Sequence, residues 1–309
     1  MTNSFRKRFN INLLDFHSQT TNKDILEPLT EDASCCLRNL GAYKVPQSLR
    51  IKGPRSRSAA VLVALFVGRT GDIHVLLSQR SKTLRTYAGD TSLPGGKVEP
   101  TDRNIEDTAR REAFEEIGLS LDKRKVPLLC ILEPFLAGNQ LLVTPVVVLV
   151  LDKTLRPILN GAEVSSLFSH PLKSFMSSEN SHPNENNAET PYYTFYDYPW
   201  DSGGRKYHVR MHRFLTGRES KGIKPVFGLT AAILIRVATI GYGRDPDFDV
   251  LAPNQPAMSE RIKYALRNDQ RFINAFNEEK EAHRRRKKSS VSETNPRTVW
   301  TGRTARSRL

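Results

Sequence analysis

The chemistry in this chain is concentrated in one stretch. From Leu93 to Leu119 it reads LPGGKVEPTDRNIEDTARREAFEEIGL, with Glu112, Glu115 and Glu116 inside two helical turns and Arg111 beside the first. On a helix from about Arg103 to Ile117, Glu115 falls about 60° to one side of Glu112 and Glu116 about 40° to the other, so the three acids form one narrow stripe. Ile105, Ala109, Ala113 and Ile117 form an apolar stripe that begins beside it. The acids therefore border the buried face, where like charges one turn apart repel unless a cation sits among them. A hard divalent cation, Mg2+ or Mn2+, is the economical choice, because it takes oxygen ligands and binds between carboxylates and substrate phosphates. The plainer alternative is a solvated acidic face balanced by Arg110 and Arg111. The pair Gly95-Gly96 favours the first reading: glycine backbone can approach a ligand closely, and the turn and helix start that follow are suited to an anion.

Such a helix needs a sheet to hold it. AAVLVALFVG from Ala59 and DIHVLLSQR from Asp72 are β-rich runs separated by Arg69, Thr70 and Gly71, which predicts two neighbouring strands joined by a turn. PLLCILEPFL and QLLVTPVVVLVL repeat that texture after the helix, so a mixed sheet in an α/β arrangement is expected. EDASCCLRNLGAYKVP predicts a short capped helix in an otherwise polar leading segment, residues 1–52. GAEVSSLFSHPL and KPVFGLTAAILIRVATIGYG read as helices, the second ended by Gly241 and buried against the sheet. Between them lies a polar insertion around 174–192. The expected organisation is a catalytic domain over 53–243, a helical extension over 244–279 and a disordered basic tail over 280–309.

The stretch from Gly96 resembles the Nudix box: a glycine, five residues, a glutamate, seven residues, then R-E, an apolar residue, any residue, E-E, any residue, glycine and an apolar residue. Its end is intact as REAFEEIGL, Arg111 to Leu119. Between the halves there is one residue more than the general pattern, and Asp102 stands where the first glutamate falls counting from Gly96, so the pattern does not supply the usual partner of Arg111. One extra residue here characterises the coenzyme A branch of the family. Upstream, VLLSQRSKTLRTYAGDTSLPGG resembles that branch's second signature through Leu76, Leu77, Arg80, Ser81, Arg85, Gly89 and Pro94. CCLRNLGAYKVP, AEVSSLFSHPL and VFGLTAAIL are similar to further segments of the branch, and the resemblance spans about Ser34 to Ala238.

The resemblance implies a Nudix α/β/α sandwich with a central mixed sheet, plus an N-terminal helical extension. It implies hydrolysis of the diphosphate of coenzyme A to adenosine 3′,5′-bisphosphate and 4′-phosphopantetheine or its acyl form. Metal ions would be held by Glu112, Glu115 and Glu116, with the Gly96 carbonyl as a further ligand. Glu112 and Glu115 compete to take the proton from water, Arg111 orients them, and Glu163 is an outside candidate better explained as a helix-start or salt-bridge carboxylate. The substrate carries a diphosphate and a ribose phosphate, which calls for Arg and Lys; Arg80 and Arg85 are the candidates, with Lys97 nearer the diphosphate. The alternatives are hydrolysis of oxidised nucleoside triphosphates or other nucleoside diphosphate derivatives, and a non-catalytic nucleic-acid-binding Nudix protein. His208 and His212 receive no role.

Composition bounds the rest. In 309 residues, 38% hydrophobic and 26% charged, the longest apolar run, LLVTPVVVLVL, is too short to span a bilayer. Cys35, Cys36 and Cys130 offer neither metal spacing nor an even disulfide framework, as in buried thiols of a reducing compartment. The net charge of +14 suggests an anionic partner, and its densest block, EAHRRRKKSS, reads as a solvated tail, with nucleic acid disfavoured. The N-terminus has basic residues but no signal-peptide hydrophobic region. Ser307 to Leu309 resemble the C-terminal peroxisomal address, of which S-K-L is the standard form, so the peroxisomal import receptor is an expected partner. Peroxisome is the expected location, with cytoplasm or mitochondrion as alternatives, and a fungal source fits that branch.

Overall fold

In the computed structural model, residues 29–151, 157–179, 190–202 and 204–293 are described. The polar insertion lies largely outside them, as do residues 1–28 and Ser307 to Leu309.

Strand β1 (Ser58–Val67) sets up the layers by alternation. Ala60, Leu62 and Ala64 enter one apolar cluster, while Ala59, Val63 and Leu65 enter another, as a two-residue period requires. Strand β7 (Leu142–Leu149) runs parallel to it, from Ser58 opposite Leu142 to Leu65 opposite Leu149. It divides the same way, Val146 and Val148 against Val143, Val147 and Leu149. The sheet order is β3 (Thr91–Ser92), β2 (Ile73–Arg80), β1, β7, β5 (Leu128–Ile131), with β4 (Gly95–Lys97) on β1, β6 (Phe135–Leu136) on β7 and β8 (Val164–Pro171) on β2. Apart from β1 with β7 these pairings are antiparallel, so the sheet is mixed.

Helix α2 (Ile105–Ile117) covers one face, packing Ala109, Ala113 and Ile117 on Ala60, Leu62 and Ala64. The other face is covered by α1 (Glu31–Ala42) and α3 (Gly228–Tyr242), through Cys36, Leu37 and Leu40 of the first and Ile233, Leu234 and Val237 of the second. The result is the expected α/β/α sandwich. Two further helices, α4 (Met258–Asn268) and α5 (Gln270–Glu293), pack Ile262, Ala265 and Phe272 on Leu136 and Leu142.

Four expectations change. The segment GAEVSSLFSHPL is not helical: it forms the strand β8, paired with β2, in which Phe168 and His170 are buried two residues apart and a bulge at Ser165 turns Val164 to the other cluster. Helix α3 ends past Gly241, at Tyr242, with Gly243 as a left-handed cap; Gly241 lies inside the helix because a Cβ there would stand 2.5 Å from Cys36 Sγ. The described part of the leading segment, residues 29–52, is no appendage, since α1 completes a core layer. Lastly, α5 continues to Glu293 through residues expected to be a disordered tail; charges at helical spacing, such as Glu281 with Arg285 at 3.6 Å, let a polar helix persist. A second, three-stranded sheet, β11 (Val226–Phe227), β10 (Arg205–Phe214) and β9 (Tyr193–Ser202), had no counterpart in the sequence reading. In it His212 is buried between the Tyr193 hydroxyl, 2.9 Å from Nδ1, and the Val250 carbonyl, 3.0 Å from Nε2.

Candidate active site

The carboxylate helix begins where Asn104 caps it, its side chain accepting from Asp107 N at 3.0 Å, and ends at Gly118 with φ 68°. Its buried stripe fixes its rotation, so Glu116 is pulled to 5% exposure. Opposite it stand β4 and its two glycines. A Cβ on Gly95 would run into the Ala60 carbonyl, and one on Gly96 into the Glu112 carboxylate. Only a strand without side chains here can lie against both β1 and the acidic stripe.

Arg111 organises one side of the stripe. Its Nε and Nη2 donate to the two oxygens of Asp102 at 3.0 and 3.1 Å, and Nη2 also donates to the Lys97 carbonyl at 3.1 Å. Asp102 is buried and accepts from Glu99 N at 2.9 Å and Thr108 Oγ1 at 2.8 Å. The guanidinium bonds, aided by these donors, hold its carboxyl down at about 2 against the cost of burial. Asp102 therefore supplies the partner that the sequence pattern left open, one residue farther from Arg111 than the general pattern has it and with a shorter side chain. The remaining nitrogen, Nη1, reaches Glu112 Oε1 at 3.0 Å and Glu115 Oε2 at 3.2 Å; Glu99 lies at 3.8 Å.

The other side is short of positive charge. Burial, with the Glu112 charge next to it, pushes the Glu116 carboxyl up to about 8, against the opposing pull of Arg80 and a Gly95 N–H bond. Burial likewise raises Glu112, although Arg111 opposes it. The Glu163 carboxylate raises both. It is brought there by a crossing segment that caps α2: Ile158 N donates to the Ile117 carbonyl at 3.0 Å and Asn160 N to the Glu116 carbonyl at 2.9 Å. Ser81 N then donates to the Glu163 carbonyl at 2.7 Å, which ties this carboxylate to the end of β2 beside Arg80. Glu163 sits in a turn before a strand, so it is not the helix-start residue expected.

The stripe thus comes together as expected, with two distinctions. Glu112 and Glu116 face a partly desolvated region, whereas Glu115 is half exposed, its side chain at 52%. Among the described residues no group of three or more His, Cys, Asp or Glu side chains is gathered tightly enough to hold a metal ion as it stands, two of the acids being turned onto Arg111. The donor chemistry fits a hard divalent ion: carboxylate oxygens, raised by burial and mutual repulsion, beside a glycine backbone. Of the three cations, Arg80 lies closest to this chemistry. Its charge acts on Glu116, and its buried Nε has no hydrogen-bond partner. Lys97 and Arg85 are exposed on β4 and on the β2–β3 loop.

The NUDIX domain model matches residues 56–189. The peroxisomal coenzyme A diphosphatase 1 of Saccharomyces cerevisiae is 30% identical over 255 residues, with 65% of this chain and 74% of that protein covered. The chain belongs to the Nudix hydrolases. A peroxisomal coenzyme A diphosphatase of Mus musculus is 30% identical over 223 residues, covering 72% of this chain and 84% of that protein. Nudix hydrolase 22, chloroplastic, of Arabidopsis thaliana is 41% identical over 215 residues, 69% of this chain, but this chain spans only 63% of that relative's length. These relatives come from yeast, mouse and plant, and they assign no source to this Nudix hydrolase. Nudix hydrolases act on diphosphate bonds and generally use divalent metals such as Mg2+ or Mn2+. Among the described residues of this one, no helix is long and apolar enough to cross a membrane.

Proposed function

We propose that this Nudix hydrolase cleaves the diphosphate of coenzyme A, free, oxidised or acylated, giving adenosine 3′,5′-bisphosphate and 4′-phosphopantetheine or its acyl derivative. The observation that carries the reading is Arg80: a buried guanidinium nitrogen with no partner, at the end of the signature strand and within the field of Glu116. A substrate phosphate would satisfy it. Coenzyme A diphosphatases among the relatives support the same substrate.

Glu112 and Glu116 would hold the divalent ion, with Glu115 at the rim and the Gly96 carbonyl alongside. When bound, Mg2+ or Mn2+ offsets the charge of the acids and of the diphosphate and increases the acidity of water. Arg111 fixes Glu112 and Glu115 while Asp102 and the Lys97 carbonyl fix Arg111. Arg80 neutralises diphosphate oxygens at the neck of the loop, and Arg85 and Lys97 draw in the remaining phosphate charge from the surface. Proton acceptance falls to a carboxylate at the solvent edge, Glu115 or Glu163. The field of Glu163 on both buried acids supports it, an outside candidate in the sequence, for this role.

Product analysis tests the reading. Coenzyme A, acetyl-coenzyme A and an oxidised nucleoside triphosphate are supplied at equal concentration with Mg2+ or Mn2+, beside Glu116→Gln. Metal-dependent release of adenosine 3′,5′-bisphosphate, absent in the variant, is the expected result; turnover of the triphosphate alone would overturn it. The location we propose is the peroxisome, supported by the peroxisomal relatives and by Ser307 to Leu309. The chloroplastic name of the plant relative makes the test direct: a fluorescent fusion lacking Ser307 to Leu309 should stay out of peroxisomes.

A further inference from the structure

The β2–β3 loop holds one residue that the catalytic argument does not use. It leaves the sheet at Arg80 and returns at Asp90, and Arg80 N donates to the Asp90 carbonyl at 2.9 Å, closing its neck. Within it, Ser81 Oγ and Thr83 Oγ1 lie 2.8 Å apart, and Asp90 N donates to the Tyr87 carbonyl at 3.2 Å. From the approach to β11, Lys224 Nζ donates to the Ala88 carbonyl at 2.9 Å and pairs with Asp90 Oδ1 at 2.6 Å. On the return limb of this loop Tyr87 has φ 57°, a left-handed conformation that a bulky side chain disfavours. Its side chain is 58% exposed, so little burial offsets the strain.

A strained, exposed aromatic on a rigid loop is the kind of feature that collects at ligand clamps. The loop fixes where the ligand would be. Its neck is Arg80, whose charge acts on Glu116, and a closed loop over residues 81–89 extends no more than roughly 15 Å from that neck. That is the reach of a nucleoside with its phosphates. Arg85, exposed at the middle of the loop, keeps its surface cationic.

We propose that Tyr87 is the platform on which the substrate's nucleobase stacks, with the β2–β3 loop reading the base at Tyr87 and phosphate at its neck. The inference rests on the proposed substrate, an adenine-containing diphosphate. Aromatic side chains suit this task because every base presents a π face, and the ring's position is set by the loop before the ligand arrives. The strained backbone aims the ring outward instead of letting it fold onto the protein.

The strain also supplies the control. Glycine adopts a left-handed φ freely and asparagine tolerates it, so Tyr87→Gly and Tyr87→Asn remove the ring without distorting the loop. Binding of adenosine 3′,5′-bisphosphate and of 4′-phosphopantetheine is measured by calorimetry for wild type, Tyr87→Phe, Tyr87→Gly and Tyr87→Asn, with Tm recorded for each. The expected result is a loss on the order of tenfold for the adenosine bisphosphate in the Gly and Asn variants. Tyr87→Phe keeps its affinity, 4′-phosphopantetheine is unaffected throughout, and Tm does not fall. Wild-type affinity in both ringless variants, or equal weakening of both ligands, would overturn the assignment. Hydrolysis of coenzyme A by the wild-type chain is scored separately: its absence removes the parent reading, whereas activity with an indifferent Tyr87 removes this inference alone.

Discussion

Two carboxylates in this protein carry opposite perturbations, and each gives a pH signature. Glu116 is raised to about 8 by burial and the Glu112 charge. In the metal-free protein its folded state therefore holds a proton that the unfolded chain releases above about 4.5, so stability falls as pH rises from there through about 8. Glu116→Gln should flatten that decline when Tm is followed at pH 6 and pH 8.5 in chelator, while turnover with metal is lost by about a thousandfold or more. Added Mg2+ or Mn2+ should raise the wild-type Tm more at pH 8.5 than at pH 6, because binding competes with the proton. Asp102 is the reverse case. Held down at about 2, chiefly by Arg111, it contributes stability that is present above about 3.8 and lost as pH falls through about 2. Asp102→Asn should cost about 1–3 kcal/mol at neutral pH, since a buried, multiply bonded carboxylate loses its charge next to a half-fixed guanidinium. Chemical denaturation at pH 7 checks this, and a variant as stable as wild type would mean Arg111 finds an equal partner in Glu99.

At the scale of elements, the site depends on two close approaches that glycine permits. Gly96→Ala would push the Glu112 carboxylate off β4; the expected outcome is a loss of about 100-fold in kcat/KM with an unchanged fold, because misplacement of a catalytic group by about 1 Å has that effect. Gly241→Ala wedges a methyl against Cys36 Sγ across the α1–α3 contact and should cost about 1–3 kcal/mol without altering KM. Local pattern made α2, β1, β2 and β7 legible in the sequence, since their burial follows the period of their own residues. β8 is not legible locally because VSSLFSHP mixes small polar residues into a strand whose alternation is interrupted by a bulge in its pairing with β2. The site divides along the same line. The carboxylate stripe and Arg111 sit on one helix, where 100° per residue places them. The roles of Asp102 and Glu163 depend on how a turn and a crossing segment close on that helix, and spacing along the chain does not encode this. Arg80, Arg85 and Lys97 are all candidates in the sequence, with Arg80 first; its buried, unpartnered Nε and its pull on Glu116 set it apart in the structure.

At the scale of the whole molecule, the net charge of +14 acts beyond any single contact. A polyanionic substrate approaches a protein of this charge faster at low ionic strength, and that advantage is screened once the Debye length shrinks to about 8 Å in physiological salt. The final segment carries Arg297, Arg303, Arg306 and Arg308 and no acid, while α5 closes on the domain through Phe272 and through Glu279, which accepts from Ser56 N at 3.1 Å. A chain ending at His283 keeps those contacts and loses the Arg284 to Lys288 block together with the final segment. It should retain kcat and Tm, while kcat/KM for coenzyme A falls by no more than about threefold at low salt and converges with the full chain at high salt. A nucleic-acid-binding protein driven by this tail behaves differently: removing it would lower RNA affinity and flatten its salt dependence, with hydrolysis incidental. Measuring both quantities on the same two chains, across a salt series, separates a diphosphate hydrolase with a cationic field from a binder that happens to share its fold.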